Sequence, residues 1–482
     1  MFTKINNFLF GIGEQNLKQS IAKNTFWLFF GQITGRLLRV IVIIYAARIL
    51  GPASWGAFSY AMSLVAFMTI ISDFGINAIV TRESAKNLEK SNVYFSTAFF
   101  IKLALLSLGV FVIIFIAPWF TNIQEANALL PAIALILIFD GFRNFGFAIG
   151  RAKEKMQWEG INEILTNFGI TALGLLFLWQ LPTSYSLALG YAIAVGIGFL
   201  LIAWQLRDHI KNLFSHFDKN KVWEILNIAW PFALASSLGA IMINTDTIML
   251  SWMRTPEEVG FYAAAQKPIQ ILYVFAGLFA TSLFPTFVRL AKNSHERLKE
   301  VLEKAITISL LAALPISLGG FILGDQIINL IFGNDYSAGA SAFNILILTI
   351  IVIFPSILIS NSLFAHDQQK KFITYSLLGA VGNIAFNFLL IPIWGIAGCS
   401  LATLITQIIS NGFIWKKMLE IQNISILPKV KKILAASLIM AIAVLFLKYM
   451  GANVLINILI AAAVYFFTLK ILKERILMML FD

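Results

Sequence analysis

Residues 93–117 read VYFSTAFFIKLALLSLGVFVIIFIA, a run in which Lys102 is the only charge. A helix rising 1.5 Å per residue needs about 20 such residues to cross the roughly 30 Å hydrocarbon core of a bilayer. A helix on a soluble core shows one apolar stripe and a polar remainder; this stretch is apolar all round. Comparable runs flank it on both sides. They place spans at 25–47, 54–73, 93–117, 127–149, 160–180, 185–204, 228–252, 259–287, 304–324, 340–364, 373–391, 394–415, 431–449 and 452–471. The fold class expected is an all-α polytopic membrane protein of about 14 transmembrane helices.

The bulk composition agrees. Of 482 residues, 59% are hydrophobic and 12% are charged, against about 25% charged in soluble domains. The net charge of +12 would suggest nucleic acid in a soluble chain, but here the basic residues sit in short loops between apolar runs. Alternate loops hold 29 of the 36 Lys and Arg, and the loops between them hold Arg48, Arg254 and Lys448. That asymmetry follows the positive-inside rule and predicts both termini in the cytoplasm, hence an even number of spans. Met1 to Lys23 is polar and weakly amphipathic and lacks a signal peptide's apolar core, so residues 1–24 read as a cytoplasmic N-terminal segment.

Internal repetition divides the chain further. Pro52-Ala-Ser-Trp-Gly56, followed by Phe58, recurs 204 residues later as Pro256-Glu-Glu-Val-Gly260, followed by Tyr262. The loop Arg151–Lys155 has a counterpart in His366–Lys370, and Leu189-Gly190 one in Ala397-Gly398. Six spans separate the copies, an even number, so the repeats are parallel about an axis along the membrane normal. The expected organisation is an N-lobe over 25–210, a cytoplasmic linker over 211–227, a C-lobe over 228–418, and two further helices within 419–482.

Several chemistries are disfavoured. Cys399 is the only cysteine, which removes an intrachain disulfide and a Cys-based metal site. His209, His216, His295 and His366 show no ligand spacing, and no phosphate loop, HExxH or nucleophile elbow occurs. The longest outer loop expected, near 325–339, is too short for a catalytic domain. No catalytic residue, metal or cofactor is expected, and transport is favoured over catalysis.

Charges inside spans carry the functional reading, because a central Arg or Lys costs about 2.5–3.5 kcal/mol even on the lenient insertion scale. Arg36 and Arg39 lie three apart on span one, and Gln32 extends that face by a turn. A hydrated cavity that accepts an anion accounts for such a stripe; burial against acids on neighbouring helices is the alternative. Lys102 either serves the same cavity or snorkels toward the cytoplasm. Asp246 and Lys267 lie at similar depth, roughly 10 Å below the outer ends of consecutive spans, and are expected to pair. Asp246 also stands as a protonatable coupling group. Asp140 and Arg143, three apart, are expected to pair locally or to line an inner gate. Gly31 and Gly35 form a GxxxG that permits close helix contact, and Pro231, Pro268, Pro285, Pro315 and Pro355 are positioned to bend C-half spans.

Arg48-Ile-Leu-Gly-Pro-Ala-Ser-Trp-Gly-Ala-Phe-Ser-Tyr60, Asp73-Phe-Gly75, Thr81-Arg-Glu83, Asn244-Thr-Asp246 and Gly260-Phe-Tyr-Ala-Ala-Ala-Gln-Lys267 resemble the Wzx-type O-antigen and polysaccharide-biosynthesis flippases over almost the whole chain. The resemblance implies the multidrug/oligosaccharidyl-lipid/polysaccharide exporter fold, with two six-helix lobes around a central cavity. It implies a bacterial inner-membrane flippase that moves undecaprenyl-diphosphate-linked oligosaccharide from the cytoplasmic to the periplasmic leaflet by alternating access. Arg36, Arg39, Lys102, Lys267 and Gln32 are then candidates for the diphosphate and sugar, with acidic sugars attracted as well. The implied partners are that lipid, the bilayer, a polysaccharide polymerase and a chain-length regulator, with no nucleic acid. The last two helices resemble those of peptidoglycan-precursor flippases, where they form a groove for the lipid tail. A peptidoglycan-precursor flippase, a cation or drug antiporter of the same fold, and a membrane glycosyl polymerase or ligase are the competing readings.

Overall fold

The structure is a computed structural model that describes residues 17–86, 91–207 and 214–474. The expected N-terminal segment up to residue 16, and Lys90, His209, Lys211 and Arg475, lie outside the described residues. The chain runs through α1 (Leu17–Ile71), α2 (Ile76–Lys86), α3 (Ser91–Phe111), α4 (Gln124–Ala152), α5 (Met156–Gln180), α6 (Ser184–Gln205) and α7 (Lys219–Met253). It continues through α8 (Pro256–Asn293), α9 (His295–Phe332), α10 (Ala340–Ile347), α11 (Thr349–Ala365), α12 (Lys371–Ile421), α13 (Leu427–Tyr449) and α14 (Val454–Ile471). There is no strand among the described residues. Lipid offers the backbone no hydrogen bonds, so helices that satisfy their own N–H and C=O groups are the form these apolar runs take.

Twelve helical segments among the described residues are long and apolar enough to cross a membrane. Two of them hold two spans each. Helix α1 leaves helical geometry at Gly51 (φ 72°, ψ 172°) and α12 at Gly395 (φ 55°, ψ −130°). Both conformations favour glycine, and Pro52 restarts the helix at a position where its missing N–H costs nothing. A Cβ on Gly395 would stand 2.7 Å from Arg254 Nη2 and 2.7 Å from Glu258 Oε2, so an Arg254–Glu258 ion pair (2.9 Å) covers that break. With the two breaks counted, the spans are those read from the sequence.

One boundary is corrected. The stretch 325–339 is not an open loop: α9 continues to Phe332 and a 3-10 turn follows over Asn334–Gly339. The apolar run stops at Asp325, but one charge does not end a helix. Lys448 Nζ donates to Asp325 at 2.6 Å, and the helix stops only at Gly333, with φ 99°.

Aromatic residues mark the faces independently of charge. Trp119, Trp179, Trp252, Trp394 and Tyr449 are all exposed and lie at span ends opposite the basic loops, where amphipathic rings settle at the headgroup level. Pro231 lies within α7, Pro268 and Pro285 within α8, Pro315 within α9 and Pro355 within α11.

The chain divides into two compact units, Met1–Ala240 and Ile241–Asp482, which part inside α7. In the first, α1 packs along α5 with almost no side chain between them. A Cβ on Gly31 would lie 2.7 Å from Gly160 Cα, and one on Gly160 would lie 2.4 Å from the Trp27 carbonyl oxygen. This is the contact the GxxxG reading anticipates. In the second, α13 is fastened to α9 near both ends. Glu303 receives the Lys429 ammonium and the Ser425 N–H (2.8 Å), while Asp325 receives Lys448. Burial alone would raise the Glu303 pKa, but the Lys429 and Ser425 donors outweigh it and hold the carboxyl below the usual carboxylate range. His295 and His366, far apart in sequence, stack with ring centroids 6.0 Å apart.

Candidate functional site

The first unit holds an open-sided chamber of about 490 Å³ whose polar lining includes Gln32, Arg36 and Arg39 from α1, Asp140, Arg143 and Asn144 from α4, Glu163 and Asn167 from α5, and Tyr191 from α6. A smaller pocket of about 240 Å³ shares Thr69, Ile70 and Asn144 with it and adds Asp73, Asn77, Lys102, Arg151 and Ser236. All of these belong to one unit. Open volume at this depth is what lets guanidinium groups reside within a span.

Close packing sets the arginine face. Because Gly35 lacks a Cβ, Asn167 approaches α1 closely; a methyl at Gly35 would lie 2.6 Å from Asn167 Nδ2. One turn further, Arg39 Nε donates to Asn167 Oδ1 at 2.9 Å. Asn167 Nδ2 in turn donates to Glu163 Oε2 at 3.0 Å. Thr171 Oγ1 donates to the Leu38 carbonyl at 2.9 Å and closes the next turn. The amide therefore stands between Arg39 and Glu163. Arg36 is exposed to the chamber and makes no side-chain hydrogen bond or ion pair with any described residue. A neutral amide meets one of the two span-one arginines and nothing meets the other, so neither is sealed against an acid.

The other basic groups are committed. Arg143, 5% exposed, donates to Asp140 at 2.7 Å and lies 3.4 Å from Glu163. Its Nη1 is buried without a partner. Asn144 Nδ2 reaches the second Asp140 oxygen at 3.0 Å. The local Asp140–Arg143 pair thus forms, with Glu163 as an unanticipated third member. Lys102 does not snorkel. It is fully buried and donates to Asp73 at 2.7 Å, because Asp73 at the end of α1 brings a counter-charge to it within the fold. Arg151 Nε donates to Glu159 at 2.7 Å.

In the second unit the expected Asp246–Lys267 pair is not made. The Asp246 carboxylate, 1% exposed, accepts from Tyr262 Oη (2.5 Å), Asn383 Nδ2 (2.8 Å), Asn387 Nδ2 (2.7 Å) and Thr403 Oγ1 (2.7 Å). Four neutral donors saturate the carboxylate, and Lys267 is not among its partners; Lys267 is half-buried on α8. Asn387 Oδ1 in the same cluster is buried without a partner. No group of three or more His, Cys, Asp or Glu among the described residues is placed to hold a metal ion.

Sequence reasoning missed Glu163 and Asn167 on α5 and Asn383 and Asn387 on α12. Each pair sits four residues apart, on one helix face within an apolar run, and that spacing was the available signal.

Comparison with known proteins places this geometry in context. The profile of the family described as "Polysaccharide biosynthesis protein" matches residues 21–291, more than half of the chain, and that of MatE matches 231–389. The chain is 24% identical over 397 residues to the "Probable low-salt glycan biosynthesis flippase Agl15" of Haloferax volcanii, covering 80% of each chain. It is 22% identical to the "Capsular polysaccharide biosynthesis protein CapF" of Staphylococcus aureus, over 81% of this chain and 97% of that one. Among solved structures it resembles the lipid II flippase MurJ in an inward closed conformation, with a TM-score of 0.76, 19% identity, and coverage of 93% of this chain and 98% of the other. At that identity the likeness shows the fold and not the substrate.

Proposed function

Because this chain belongs to the polysaccharide biosynthesis protein family and is a multi-pass membrane transporter rather than an enzyme, we propose that it flips undecaprenyl-diphosphate-linked oligosaccharide repeat units from the cytoplasmic to the periplasmic leaflet. The observation that carries this reading is the first-unit chamber, where Arg36 has no partner among the described residues and Arg39 has a single neutral one. Guanidinium groups inside a span that no acid neutralises are held at a cost that an anionic headgroup offsets when it enters. The diphosphate takes the arginine face while the prenyl tail stays in lipid. The names of the similar glycan flippase and capsular polysaccharide protein support the same substrate class. The basic loops then face the cytoplasm of a bacterial inner membrane, with both termini on that side. A polysaccharide polymerase and chain-length regulator would receive the product.

Asp246, buried among four hydrogen-bond donors, is the residue at which this reading puts gradient coupling. The competing peptidoglycan-precursor reading rests on the fold likeness and is separated by complementation of a strain depleted of that flippase. Arg36→Gln and Arg39→Gln, inserted in the membrane at normal levels, are expected to abolish surface polysaccharide. Undiminished polysaccharide in both variants would remove the arginines from the substrate path.

A further inference from the structure

We infer that the glycan this chamber accepts carries hydroxyl, amide or amino groups and no acidic sugar, an inference that rests on the flippase reading above. The chamber and its adjoining pocket hold basic groups in number, but the structure commits most of them. Lys102 is held by Asp73 at 2.7 Å, and Arg151 by Glu159 at 2.7 Å. Arg143 is shared between Asp140 at 2.7 Å and Glu163 at 3.4 Å. Arg36 and Arg39 alone are left to meet an incoming anion. Two guanidinium groups match a sugar diphosphate ester, which carries one ionised oxygen on each phosphate. Among the described residues that line the chamber and its pocket, no other basic group is left for a further carboxylate.

The facing wall argues the same way. One guanidinium, Arg143, balances two carboxylates there, so α4 and α5 carry a surplus negative charge into the chamber. The Asp140 and Glu163 side chains are 24% and 22% exposed, and both line the chamber. Ionised carboxylates only accept hydrogen bonds, and sugar hydroxyls, N-acyl amides and ammonium groups donate them. A uronic acid brought to that wall meets like charge in a partly dehydrated site. The arginines of α1 thus read the diphosphate while the acids of α4 and α5 read a donor-rich, uncharged or amino-bearing sugar.

The test uses the full chain in proteoliposomes and two prenyl-diphosphate-linked trisaccharides that differ only in carrying glucose or glucuronic acid at one position. Binding and translocation of the glucose form are expected to exceed those of the glucuronic acid form by about tenfold or more. Glu163→Gln and Asp140→Asn, each measured separately, are expected to narrow that ratio by raising the acidic substrate. Equal handling of the two lipids, or preference for the acidic one, overturns the inference and leaves the flippase reading standing. Failure to bind either lipid, in protein that unfolds with a normal thermal transition, sinks the flippase reading and the inference with it.

Discussion

Replacing Asn167 with leucine keeps the branching of that side chain and removes its polarity. Asn167 accepts from Arg39 at 2.9 Å and donates to Glu163 at 3.0 Å, so it bridges a cation and an anion that would otherwise attract each other directly. Without the amide, Arg39 is expected to close onto Glu163, which neutralises one of the two guanidinium groups left for the substrate. A unit charge at 4 Å from its partner is worth about 4 kcal/mol at an effective dielectric of 20. Hydration of the chamber reduces that to about 1.5–2 kcal/mol, or roughly 10- to 30-fold in affinity. Equilibrium titration of the purified protein with a short-chain prenyl diphosphate measures it. The second variant, Asn167→Leu with Glu163→Gln, removes the competing acid and is expected to recover most of the loss. Unchanged affinity in the single variant, or a loss that the double variant does not recover, would refute the role given to the amide.

Other consequences follow from the same geometry. Gly160→Ala sets a methyl 2.4 Å from the Trp27 carbonyl oxygen, a backbone atom that cannot move alone; overpacking of this kind costs about 1–3 kcal/mol, and a lowered unfolding temperature checks it. Asp246→Asn leaves amide and hydroxyl donors facing an NH₂ group, at about 1–3 kcal/mol for a buried donor left unmatched. Transport in that variant is expected to fail with the protein still inserted, and transport at the normal rate would remove Asp246 from the cycle. The depressed pKa of Glu303 stabilises the fold at pH values above the unfolded carboxyl pKa of about 4.3. That contribution is lost as pH falls through the lower folded value, so the unfolding temperature of Glu303→Gln is expected to fall less on acidification than that of the unsubstituted protein. Equal declines would show that the Lys429 and Ser425 donors do not hold that carboxyl down.

The spans were legible because lipid imposes one length and one polarity on every helix. The halves of α1 were separable at the gap that holds Gly51-Pro52, and those of α12 at Pro392 to Trp394, just before the break at Gly395. Arg36 and Arg39 were legible for the same reason: two charges in an apolar run declare themselves. Asn167, the partner of Arg39, did not, because one asparagine in an apolar run changes average hydropathy little. Lys102 shows the limit from the other direction. Its position left a cavity role and snorkelling both open, and Asp73, in a turn that no periodicity describes, reaches back to pair with it. Equal depth likewise suggested a pair for Asp246 and Lys267, but rotation about the helix axis decides which side chains meet. Asn383 and Asn387, more than a hundred residues away, won that position.

The most direct measurement is an experimental structure of the protein with a prenyl-diphosphate-linked oligosaccharide bound. Both phosphates are expected within hydrogen-bonding distance of the Arg36 and Arg39 guanidinium groups, with sugar hydroxyls toward Glu163 and Asp140. A lipid whose phosphates lie elsewhere, with the chamber holding only water, would contradict the mechanism at its root.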